Sequence, residues 1–237
     1  MHDELFLTLG QIAIIAGLGV IGAALSPRNF RLAWFLAALA LYALYNFLLT
    51  RGFFLLPNWP EGARWNWLGK TMALAGMLAL ASLPVFGWRR IGLTFRQAKG
   101  SWSAFLLAAA LSALFFYFAD QGADGRDDVE TIAFQWTMPG LDEEIFYRGV
   151  LLLAMNEAFR AKLNILGAPI GYGGLLTSVL FGLAHGLSCD GAFSFDPMTF
   201  LVTGAPSLLL LWMREKTGSL LLPVVAHNVA NGASTLF

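Results

Sequence analysis

About eight runs of apolar residues, each able to cross a bilayer as a helix, recur along this 237-residue chain. A hydrocarbon core of ~30 Å is spanned by roughly 20 helical residues at ~1.5 Å each. The runs are Leu5–Leu25, Phe30–Thr50, Leu68–Trp88, Trp102–Asp120, Thr131–Met155, Gly171–Leu187, Met198–Met213 and Ser219–Phe237, the last two being short. Charged residues make up 13% of the chain, against roughly a quarter in soluble domains. A membrane β-barrel needs short alternating segments, which are absent. The expected fold is all-α, a polytopic transmembrane bundle of about eight helices. No composition break separates a soluble part, so residues 1–237 read as one membrane domain.

The remaining charge bounds other classes. Net charge is +0, which leaves no basic footprint for nucleic acid. Cys189 is the only cysteine, so no intrachain disulfide can form. Asp3 and Glu4, with no Lys or Arg before the first run, argue against a cleaved signal peptide. Basic residues follow the first span (Arg28, Arg31), the third (Arg89, Arg90, Arg96, Lys99), the fifth (Arg160, Lys162) and the seventh (Arg214, Lys216). Arg51, Arg64 and Lys70 run against this pattern. The positive-inside rule then places both termini outside the cytoplasm, in a bacterial-type inner (plasma) membrane. Trp65, Trp67, Trp88, Trp102 and Trp212 fall near span ends, where indole rings favour the interface.

The fifth run contains Leu141-Asp142-Glu143-Glu144-Ile145-Phe146-Tyr147-Arg148-Gly149. Charge at membrane depth is costly and is normally paired, turned inward and functional. Glu144 and Arg148 are four apart and share a helix face, so they can pair as structural support. Glu143 is rotated away from that pair. Pro139-Gly140 interrupts the run just before it, and a kink or a fresh helix start is expected there. In a restarted helix Asp142 would be the N-cap, with Glu143 and Glu144 in the first turn.

Two of the three histidines, His185 and His227, also lie in apolar spans; His2 is terminal. Phe181 and His185 share one helix face, as do His227 and Asn231. Counted from the presumed inner ends, Glu143, His185 and Asn231 sit roughly 18–21 Å deep, with His227 one turn lower. These groups can therefore meet in one polar chamber. There a carboxylate and an imidazole can take a proton from water. A second imidazole and an amide can donate to a tetrahedral oxyanion. That combination suits hydrolysis of a peptide bond. Cys189 follows His185 by one turn and reads as a small packing residue rather than a nucleophile.

Glu143-Glu144-x-x-x-Arg148, Phe181-x-x-x-His185 and His227-x-x-x-Asn231 resemble the three ordered motifs of the CAAX protease and bacteriocin-processing (Abi) family of intramembrane glutamic endopeptidases. The resemblance covers the half from about Thr131 to Phe237. It implies that Glu143 and His185 activate water, that His227 and Asn231 form the oxyanion site, and that Glu144 and Arg148 support them. It implies no metal, and a membrane-anchored or lipid-modified peptide or protein as substrate. Members that process prenylated proteins open toward the cytosol, whereas the loop charges tilt this chamber outward, as expected of relatives that trim sorting signals or peptides. Two other readings stand beside this one. Glu143, His185 and His227 are also a possible zinc ligand set with an open fourth position, although the usual His-Glu-x-x-His helix is absent. Buried acids and histidines also serve transporters or a non-enzymatic immunity scaffold.

Overall fold

The computed structural model of the chain describes residues 2–122 and 125–237 and is an all-α bundle with two small hairpins. The helices are α1 (His2–Leu25), α2 (Leu32–Leu49), α3 (Trp67–Ser82), α4 (Trp102–Gln121), α5 (Val129–Gln135), α6 (Met138–Glu144), α7 (Leu152–Ala158), α8 (Tyr172–Gly186), α9 (Pro197–Thr217) and α10 (Leu221–Gly232). A π-helical segment, Ile145–Leu151, joins α6 to α7 without a break, and a 3-10 turn, Ala233–Leu236, follows α10. The hairpins pair β1 (Lys162–Ile165) with β2 (Ala168–Gly171), and β3 (Leu187–Asp190) with β4 (Ala192–Phe195). Sequence patterning gave no sign of them, because they lie in connections between spans.

Local chemistry sets the helix ends. α9 starts where Asp196 accepts from the Met198 N–H, with Pro197 in the first turn, and it stops at Gly218 in the left-handed region (φ 72°). α5 starts where Asp128 accepts from the Thr131 N–H at 3.1 Å. Those Thr131 bonds, with Arg64 alongside, hold the Asp128 carboxyl below its usual pKa. Each expected span contains helix, but among the described residues only α1, α2 and α4 have the length and hydropathy to cross a membrane alone. α3, α8 and α10 are shorter than expected, α9 extends past Met213 to Thr217, and the fifth run is broken after Gln135. The short helices surround a centre rather than face lipid all round.

That centre is the column Met138–Ala158. α2, α3, α8 and α10 pack around it. Tyr42, Tyr45, Phe146, Leu151, Met155 and Met77 are fully or almost fully buried in the core. α4 stands apart; it leans on α10 and the 3-10 turn, with a lighter touch on α9. Its outer residues Phe105, Leu106 and Phe118 are exposed, as suits a lipid-facing helix. At one end of the bundle the basic loops converge. Arg31 and Arg90 both reach Glu157, Arg214 donates to the Arg90 carbonyl, and Lys162 pairs with Glu215. Arg64, with Asp128 and Glu130, lies at the other end.

α8 and α9 make the most intimate pair. Gly182 and Gly186 present a small-residue stripe, which lets backbones approach closely. A Cβ on Gly186 would lie 2.8 Å from Phe200 N and 2.9 Å from Asp196 O, and neither backbone atom can step aside. Gly186→Val is therefore expected to cost about 1–3 kcal/mol through overpacking. The measurement is the thermal midpoint in detergent. Gly17→Ala, at an open position, should leave it unchanged; equal midpoints for both variants would remove this contact as a constraint.

Candidate functional site

Pro139 occupies the first turn of α6, where its missing N–H is no loss, and Thr137 is the N-cap. The fresh helix start expected at Pro-Gly is present, but Asp142 is not its cap. Asp142 lies four residues inside the helix, fully buried, with Oδ2 accepting from Tyr45 Oη at 2.8 Å and from Lys70 Nζ at 3.2 Å. Gly140 lets α6 press onto α10. Its N–H donates to Asn228 Oδ1 at 2.8 Å, and a Cβ there would lie 2.7 Å from Val224 O. This contact brings the acidic motif against His227. The π turn that follows is a rare geometry, often met at functional sites.

Glu144 is fully buried, and its Oε1 accepts from Arg148 Nη1 at 2.8 Å, so the expected pair is present. The same oxygen lies 2.6 Å from His227 Nδ1. A carboxylate only accepts, so that nitrogen carries the proton. Arg148 also donates to the Ser207 carbonyl at 3.3 Å and stacks 4.5 Å from the Phe181 ring centroid. Glu144 thus ties the first motif to the third, and Arg148 ties it to the second.

Glu143 points elsewhere, as its rotation predicts. Its Oε1 accepts from Lys70 Nζ at 2.6 Å. Its Oε2 has no hydrogen-bond partner among the described residues and lies 3.8 Å from His227 Nε2. His185 Nδ1 sits 2.8 Å from the Phe181 carbonyl, so Nδ1 donates and Nε2 keeps the lone pair. The Phe181-x-x-x-His185 spacing therefore fixes a tautomer as well as a face.

Glu143, His185, His227 and Asn231 all line one cavity of about 830 Å³. Lys70, Gln135, Thr203 and Ser207 add to its polar side, while Leu111, Leu114 and Phe115 of α4 and Val202, Pro206 and Leu210 of α9 form an apolar wall. Trp65 and Asn66 at its rim place it toward the end opposite the basic loops. Cys189 is on β3, outside this lining, near Asp3. Among the described residues, no group of three or more His, Cys, Asp or Glu side chains is arranged to hold a metal.

Lys70 and Tyr45 were missed as site residues in the sequence, and Asp142 was read there as a helix cap rather than as their partner. Lys70 reads there as a loop charge against the orientation pattern, but it lies in the first turn of α3 and reaches inward, with 11% of its side chain exposed. Its signal was a lysine inside an apolar run. Removing one partner of a buried ion pair strands the other. Arg148→Met is therefore expected to destabilise by about 3–5 kcal/mol, and the Glu144→Gln/Arg148→Met double variant by clearly less. Denaturant unfolding in detergent decides this; equal losses would mean the charges are not coupled.

No curated protein and no solved structure gives a significant match to the chain. Residues 126–233 match the family model described as type II CAAX prenyl endopeptidase Rce1-like, and this segment, which carries all three motifs, agrees with the family resemblance read from them.

Proposed function

We propose that this integral membrane protein is an endopeptidase that hydrolyses a peptide bond of a membrane-associated protein or peptide, with Glu143, His185, His227 and Asn231 as its reacting groups. The observation that carries this reading is their convergence on a single cavity. A water there gives its proton to Glu143 Oε2 while its oxygen attacks the carbonyl carbon; His185 Nε2 accepts from the same water and aims it. The carbonyl oxygen becomes an oxyanion. His227 keeps its Nδ1–H on Glu144 and turns Nε2 to that oxyanion, where a proton on this nitrogen would make it a donor, and the Asn231 amide adds a second donor. When the C–N bond breaks, Glu143 returns the proton to the leaving nitrogen. Glu144 and Arg148 support the site by fixing the His227 ring.

The cavity's apolar wall suits a substrate with an apolar anchor. Positive-inside logic, applied to the converged basic loops, turns them to the cytoplasm and the cavity to the far side. Lys70, being inside the bundle, no longer counts among the loops. The substrate on this reading is an exported or outward-facing peptide carrying a membrane anchor.

Glu143→Gln and His185→Ala are expected to abolish cleavage of a quenched fluorescent peptide bearing a farnesylated cysteine, with the folded protein retained in size-exclusion profiles. Asn231→Ala should lower kcat by about 10²–10³-fold, the loss typical of one oxyanion donor. Full turnover by the Glu143→Gln protein would end the proposal. We further propose a metal-free mechanism: turnover should survive exhaustive chelation, and a loss restored by zinc would replace it with the metal-bound one.

A further inference from the structure

The geometry points to Lys70 as a positioning residue for Glu143: it holds Oε1 and leaves Oε2, 3.8 Å from His227 Nε2, as the proton acceptor. This rests on the proposed hydrolytic role of Glu143. Lys70 comes from α3, outside the matched segment 126–233. Its placement is poor for the helix itself, since a cation in the first turn opposes the helix dipole and lies within an apolar run. Two carboxylates offset that cost, Glu143 Oε1 at 2.6 Å and Asp142 Oδ2 at 3.2 Å. The shorter contact goes to the residue that faces the cavity. Tyr45 holds Asp142 from the other side at 2.8 Å, and its ring stacks on Phe146 at 3.8 Å, so the clamp is itself anchored in the core.

The charged and titratable groups around Glu143 are Lys70 from α3, His185 from α8, His227 from α10, Tyr45 from α2, Tyr147 from the π segment, and Asp142 and Glu144 beside it. Glu144 is taken up by Arg148 and His227, and His185 by the Phe181 carbonyl through Nδ1. Among the described residues Lys70 is thus the group hydrogen-bonded to Glu143, through Oε1, while His227 Nε2 stands 3.8 Å from Oε2. A lysine of lesser purpose would be only the counter-ion of buried Asp142, with Glu143 a bystander.

Two readouts separate these roles. One needs no substrate: modification of Glu143 by dicyclohexylcarbodiimide, which attacks protonated, unpaired carboxyls, mapped by mass spectrometry. The other is turnover of the farnesylated quenched peptide. Lys70→Met is expected to speed labelling of Glu143 several-fold and to lower kcat at least about tenfold, with KM little changed, as for a weakened general base. Lys70→Arg keeps the cation and should retain slow labelling and most of kcat. The Lys70→Met/Asp142→Asn double variant restores charge balance without restoring the clamp, so it should label as fast and turn over as slowly as Lys70→Met. Return of the double variant to wild-type behaviour, or wild-type labelling in Lys70→Met, overturns the inference. If Lys70→Met does not fold, the double and Lys70→Arg variants decide it by the same labelling. Cleavage by Glu143→Gln would instead sink the hydrolytic reading, whereas an inactive Glu143→Gln beside a fully active Lys70→Met would sink only the role of Lys70.

Discussion

Three consecutive carboxylates, Asp142, Glu143 and Glu144, are carried on one short helix inside an apolar bundle. Each buried ion costs several kcal/mol unless met by opposite charge and hydrogen bonds. The bundle meets them with groups from different helices: Lys70 from α3, Tyr45 from α2, His227 from α10 and Arg148 one turn further along the same column. The requirement to satisfy these acids therefore ties α2, α3 and α10 to the column. The same bonds leave three oxygens without a partner among the described residues, Asp142 Oδ1, Glu144 Oε2 and Glu143 Oε2, and of these Glu143 Oε2 lies 3.8 Å from His227 Nε2.

Small residues make that arrangement reachable. Gly140 lets the acidic helix lie against α10, and Gly182 and Gly186 let α8 lie against α9. The first contact sets the distance from Glu144 to His227, and the second sets where the wall of α9 stands relative to His185. Position within the cavity is thus fixed by backbone approach as much as by the polar side chains themselves.

Much of this was legible in the chain. Apolar runs placed the helices, and i,i+4 spacing paired Glu144 with Arg148, Phe181 with His185 and His227 with Asn231. The spacing also turned Glu143 away from the Arg148 pair. What spacing cannot show is a partner from a distant helix. Lys70 is 73 positions from Glu143 and Tyr45 is 97 from Asp142, so neither shares a periodic pattern with its partner. The N-cap assignment of Asp142 failed for the same reason: the residue suits a cap, but a tertiary contact holds it inside the helix. The π segment escaped notice because no residue pattern in Ile145–Leu151 separates a π turn from an ordinary α turn.

α4 closes the apolar flank while packing along one side only. The chamber consequently borders two solvents. Its polar floor belongs to the protein, but its flank is separated from acyl chains by the thickness of one lightly held helix. On the proposed reading, a greasy segment dissolved in the bilayer would have that one helix between itself and the carboxylate.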